Sequence, residues 1–93
     1  MNNVKILYYN CETIDTASIE QALTNNSSYR SHALIKNGLM LVNFQGSARD
    51  LYQTLGEIIQ DKSVFIHDLD SDTNAYWGFL NRNIWEWLSE NRN

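Results

Sequence analysis

The 93 residues carry 11 acids against 7 lysines and arginines, a net charge of −4, with 43% hydrophobic and 12% aromatic content. This describes one domain with a core of its own. It excludes a disordered chain, an apolar run of the roughly 20 residues that a bilayer requires, and a broadly basic surface for duplex nucleic acid.

Residues 4–10 (VKILYYN) form an apolar run of strand length with large side chains on both faces, Val4, Ile6 and Tyr8 on one and Leu7 and Tyr9 on the other. That pattern suits a central strand. After a short loop, Asp15 or Thr16 is placed to cap a helix in which Ile19, Ala22 and Leu23 recur at helical spacing, and residues 25–28 (NNSS) end it. Two strands then flank Asn37-Gly38 within residues 29–46. Asn-Gly is the strongest short hairpin signal, because both residues tolerate the positive φ of a type I′ turn. Such a turn pairs Lys36 with Leu39, Ile35 with Met40 and Leu34 with Leu41.

Ser47 and Asp50 then offer an N-cap and a first-turn acid, and Leu51, Leu55, Ile58 and Ile59 form an amphipathic stripe broad enough to cover a sheet. Residues 63–68 (SVFIHD) alternate as a last strand. Strand, helix, strand, strand, helix, strand is the ferredoxin-like split β-α-β order, an α+β fold with a four-stranded antiparallel sheet and two helices on one face. Residues 68–74 (DLDSDTN) make an acidic turn and residues 75–79 (AYWGF) a short aromatic stretch. Asn83 then caps a C-terminal helix with Ile84, Trp87 and Leu88 on its buried side, so that a helical extension of about 76–91 completes the single domain 1–93.

The same elements, from ILYYN through GSARDLYQTL and SVFIHDL to AYWGF and WEWL, resemble the small bacterial SinR-type proteins, relatives of the ferredoxin-like CRISPR-associated endoribonucleases and of virulence-associated protein D. The resemblance implies a ferredoxin-like fold, frequent homodimers, and in some members metal-dependent cleavage of RNA or DNA, or a place in a toxin-antitoxin or CRISPR adaptation system. In the nuclease members the first strand ends in Tyr-Asp, the aspartate serving a divalent metal. Here the pair is Tyr9-Asn10, and a neutral amide is a poor substitute for a carboxylate on a hard cation such as Mg²⁺.

The remaining candidates follow from residue chemistry. Asp68, Asp70 and Asp72 alternate like the start of a calcium loop, but Thr73 stands where glycine is needed and Phe79 where a bidentate glutamate belongs, so a solvated acidic turn is the simpler reading. His32 and His67 fall on strands and by alternation share a face, with no acid or nucleophile matched to them. Cys11 is the sole cysteine, which precludes an internal disulfide, and its acidic neighbours Glu12 and Asp15 disfavour a thiolate. No signal-like stretch precedes the first strand, so a reducing cytoplasm is expected.

If Tyr29, Ser31, Ala33 and Ile35 face the helices, the outward face holds Arg30, His32, Leu34, Lys36, Lys5, Leu7, Tyr9, Phe65 and His67. Such a mixed surface calls for a cover: a second copy of the chain, a single-stranded nucleic acid, or the chain's own C-terminal segment. The reading that follows is a non-catalytic acidic interaction module without a cofactor, homodimeric through Leu7, Tyr9, Leu34 and Phe65. It meets a basic protein partner through Glu12, Asp68, Asp70 and Asp72, as an inhibitor, antitoxin, immunity factor or assembly subunit of a nuclease-related system. The alternative is a nuclease using Mg²⁺ or Mn²⁺ at Asn10, Glu12 and Asp68.

Overall fold

The computed structural model describes residues 3–69 and 82–91. In chain order the elements are β1 (Val4–Tyr9), α1 (Thr16–Thr24), β2 (Tyr29–Lys36), β3 (Leu39–Phe44), α2 (Ala48–Leu55) running into a 3-10 turn (Gly56–Ile59), β4 (Val64–Asp68) and α3 (Arg82–Asn91). The strands form one antiparallel sheet in the order β2-β3-β1-β4, so β1 has a neighbour on each side. The protein is therefore α+β, with a four-stranded sheet and three α-helices among the described residues.

The α2 helix begins with a reciprocal cap. Ser47 Oγ accepts from the Asp50 amide at 3.0 Å, and Asp50 Oδ2 accepts from the Ser47 amide at 3.0 Å. Those bonds from Ser47, aided by the nearby positive charges of Arg49 and Lys5, hold the Asp50 carboxyl below its ordinary range. Gly56, at φ +51°, then ends the α-helix, and the predicted stripe is completed by the 3-10 turn, whose Ile59 is buried.

Two separate apolar clusters cover the two faces of the sheet. Leu7, Tyr9, Met40, Val42 and Phe44 meet Ile19 and Leu23 of α1, Leu51 and Leu55 of α2, and Ile59. On the opposite face Val4 and Leu41 meet Leu69 and Ile84 and Leu88 of α3, with Ile6, Ala33, Ile35, Trp85 and Trp87 packed around them. The C-terminal helix, one of the three covers considered, packs on this face. Polar bonds fix its end: Asn91 Oδ1 accepts from Ser31 Oγ and from Asn43 Nδ2, each at 2.9 Å. The indole N–H of Trp87 is buried with no hydrogen-bond partner among the described residues. The aromatic stretch of residues 75–79 lies outside the described residues.

The hairpin differs from its predicted register. Gly38 takes φ +96°, but Asn37 is not among the positive-φ residues, so the type I′ turn does not form. Lys36 does pair with Leu39, but Leu34 pairs with Met40 and Ala33 with Leu41, and the register shift between Leu34 and Lys36 leaves Ile35 as the extra residue. A turn whose twist does not match the strands is accommodated by such a bulge beside it.

A second shift, between Tyr29 and Ser31, bulges Arg30 and places Tyr29 and His32 on the α1/α2 side. Each bulge exchanges the faces of the residues beyond it. The outward set is corrected accordingly. Ser31, Ala33 and Ile35 belong to the α3 side, while Lys5, Leu7, Tyr9, His32 and Leu34 belong to the α1/α2 side. Phe65 and His67, paired with Tyr8 and Ile6, do face away from α1 and α2.

Gly38 is buried, and a Cβ there would stand 3.0 Å from the Tyr9 carbonyl oxygen. Gly38→Ala is expected to cost about 1–3 kcal/mol, from positive φ and backbone crowding together, read from urea midpoints. Leu88→Ala is expected to cost about 2–3 kcal/mol, with hydrogen exchange accelerating in α3 before α1 and α2 because the two clusters lie on opposite sides of the sheet.

Candidate functional site

The chain reverses beyond β1 and beyond β2 at the same end of the sheet, and backbone bonds tie the first reversal to the second and to the residue that precedes β4. The Tyr9 amide donates to the Gly38 carbonyl at 2.9 Å, and the Asn10 amide to the Ser63 carbonyl at 3.0 Å. Asn10 then organises its own loop. Its Oδ1 accepts from the Glu12 amide at 3.0 Å, and its carbonyl accepts from the amides of Thr13 and Ile14. That is an Asx turn, the local use for which asparagine is suited at a strand end. A depression of about 280 Å³ opens here, lined by Tyr8, Tyr9, Asn10, Cys11, Glu12, Lys36, Asn37 and Gly38.

Beside it, on the α3 side of the sheet, Tyr8 stands opposite Phe65 across the β1–β4 pair, and the two are 59% and 65% exposed. They belong to the sheet row beyond those packed by α3. The ring of His67 lies edge-on to Phe65 at a centroid distance of 6.4 Å, and its Nδ1 is 2.5 Å from the Asp68 carbonyl. His32 lies on the other side of the sheet, so the two histidines do not share a face.

His32 belongs instead to a chain of three titratable groups. Its Nδ1 is 2.6 Å from the Tyr29 hydroxyl and its Nε2 is 2.9 Å from Glu20 Oε2 on α1. A carboxylate only accepts, so Nε2 carries a proton, and in the neutral ring Nδ1 accepts from the tyrosine. Burial, with the Glu20 charge second, pushes the Tyr29 hydroxyl above its ordinary pKa. The arrangement ties edge strand β2 to α1. Three positions apart in a regular strand means opposite faces, so nothing in the sequence joined Tyr29 to His32; the Arg30 bulge does.

The other expected site residues are dispersed. Asp68 Oδ1 pairs at 3.2 Å with Lys5 Nζ, whose side chain is buried and also donates to the Asn3 carbonyl at 3.3 Å. Asp68 is Lys5's neighbour on β4, while Asn10 lies beyond the other end of β1. Five positions separate Lys5 from Asn10, roughly 17 Å of extended strand. Asn10, Glu12 and Asp68 therefore form no common site, and Glu12 and Asp68 no single acidic patch.

Asp70 and Asp72 lie outside the described residues, and among those described no three His, Cys, Asp or Glu side chains are grouped to hold a metal ion. Leu7 and Tyr9, expected to self-associate, are buried under α1 and α2, with Tyr9 bonded through its hydroxyl to Thr16. Leu34 and Phe65 remain accessible but lie on opposite edges and opposite faces of the sheet. Cys11 is exposed. No helix among the described residues is long and apolar enough to cross a membrane.

These features define an α+β protein with an aromatic shelf and a polar depression at one end of its sheet. No family model matches the chain, and no curated protein or solved structure matches it.

The raised Tyr29 pKa has a definite sign. The folded state favours the neutral phenol, so its contribution to stability is fully present below the unfolded value near 10 and is lost as pH rises through the higher folded value. Unfolding midpoints of the parent and Tyr29→Phe, measured between pH 8 and 11, are expected to converge at the alkaline end.

Proposed function

We propose that the chain is a non-catalytic interaction module of ferredoxin-like topology that binds a basic protein partner, acting as an inhibitor, antitoxin, immunity factor or assembly subunit in a nuclease-related system. The topology reading is supported by the element order β1-α1-β2-β3-α2-β4, with β1 and β3 in the centre of the sheet and α1 and α2 packed on one face. Kinship with the SinR-type proteins belongs to the same proposal and is supported by the quoted strings alone.

The observation that carries the functional reading is the Tyr8–Phe65 pair. Two aromatic rings exposed side by side, in a chain of net charge −4, are a contact surface with a bias for cationic partners. A fully buried aromatic side chain accounts for roughly 150–250 Å², so rings about 60% exposed present roughly 200–300 Å² together. Two copies meeting through these rings alone would bury about 400–600 Å², well short of the roughly 1,200 Å² of a stable interface. Any partner, a second copy included, must therefore contact the surrounding surface as well, and the net charge of −4 favours a basic one.

The nuclease reading has no comparable support, since the amide oxygen of Asn10 is engaged by the Glu12 amide and Asp68 stands at the far end of the strand.

Affinity capture from the native cells, with identification by mass spectrometry, is expected to return a protein of isoelectric point above about 9, in line with the charge complementarity that steers such encounters. Retention is expected to fall at least ten-fold for Phe65→Glu. An acidic partner, or retention indifferent to that substitution, would overturn the reading. So would Mg²⁺- or Mn²⁺-dependent cleavage of labelled RNA or DNA that disappears in Glu12→Ala.

A further inference from the structure

We infer that the depression between Tyr8, Glu12 and Lys36 receives one arginine side chain of a basic protein partner, its guanidinium lying on the Tyr8 ring and paired with the Glu12 carboxylate. The inference rests on the interaction-module reading and assigns that surface its contact chemistry.

The site is assembled by backbone bonds. The Tyr9–Gly38 bond joins its two walls, the Asn10 side chain fixes the backbone of Glu12, and Gly38 leaves space where a side chain would meet the Tyr9 carbonyl and approach Cys11 Sγ. Its volume of about 280 Å³ is ample for a single long side chain without selecting one by size. The side chains of Glu12 and Lys36 make no ion pair or hydrogen bond among the described residues, so neither must break a bond to engage a ligand. The Tyr8 ring is exposed at the rim, with Phe65 extending the apolar shelf toward β4.

Charge and shape choose the occupant. A chain of net charge −4 attracts cations at long range and repels a polyanion. Among cationic side chains, arginine alone is flat enough to stack on a phenol ring while presenting paired donors to a carboxylate. Lys36, on the facing wall, opposes such a guest. Its removal should therefore tighten binding of a cation and weaken binding of an anion.

The test is an NMR titration of the full chain with acetyl-Gly-Arg-Gly-amide, alongside the same peptide carrying citrulline, an uncharged near-isostere of arginine. Saturable amide shifts are expected at Tyr8, Glu12 and Gly38, with the citrulline peptide binding about five- to twenty-fold more weakly because both the ring contact and the ion pair lose their charge. Glu12→Gln and Tyr8→Leu should each weaken binding about two- to five-fold, and Lys36→Gln should strengthen it by a similar factor.

Equal binding of the two peptides, shifts on another surface, or weaker binding in Lys36→Gln would overturn the assignment. A single-stranded hexanucleotide bound at Tyr8 and Phe65 more tightly than the arginine peptide would transfer the shelf to nucleic acid, and a concentration-dependent rise in sedimenting mass abolished by Phe65→Glu would transfer it to a second copy. If the peptide fails while a basic partner is still captured through Phe65, the pocket is wrong and the interaction module stands. Loss of that capture, or metal-dependent RNA cleavage, defeats the module itself.

Discussion

The structure depends on β1 being buried on both faces. Val4 and Ile6 serve the cluster under α3, while Leu7 and Tyr9 serve the cluster under α1 and α2, so one six-residue strand supplies two cores. A strand in that position has nowhere to place a charge without a partner, and its one cation, Lys5, is met by Asp68 and by a main-chain carbonyl. The same double burial explains why the chain needs a third helix. With α1 and α2 alone, the side of the sheet holding Val4, Ile6 and Leu41 would face water.

Much of this was legible in the sequence. β1 and β3 are apolar runs, Asn37-Gly38 marks the reversal between β2 and β3, the Ser47 and Asp50 cap is written in residue types, and the third helix is marked by Ile84 and Leu88. The faces were not legible, for a specific reason. In β1 both alternating sets are large and apolar, so periodicity cannot say which set meets the helices, and in β2 two bulges break the alternation on which that choice relies. Leu7, Tyr9 and His32 were placed on the wrong side as a result. The Tyr29–His32–Glu20 chain was invisible for the same reason, since only the extra residue at Arg30 brings the first two rings together.

The end of the sheet was partly legible. Asn10 was singled out for what it lacks, a carboxylate, whereas its value lies in what an amide does: it accepts the Glu12 amide and shapes the loop on which the depression is built. That Glu12 and Asp68 stand apart follows from antiparallel pairing of β1 with β4, which sets the start of one strand beside the end of the other.

The indole nitrogen of Trp87 has a broader consequence. A buried donor with no acceptor among the described residues costs about 1–3 kcal/mol, comparable to the gain from burying one leucine, so within those residues the adhesion of α3 is discounted at its own interface. Among the described residues the two faces of the sheet are thus unequally covered, one by two helices and the other by one. Tolerance of strain is expected to be asymmetric, with thermal loosening starting on the side that α3 covers.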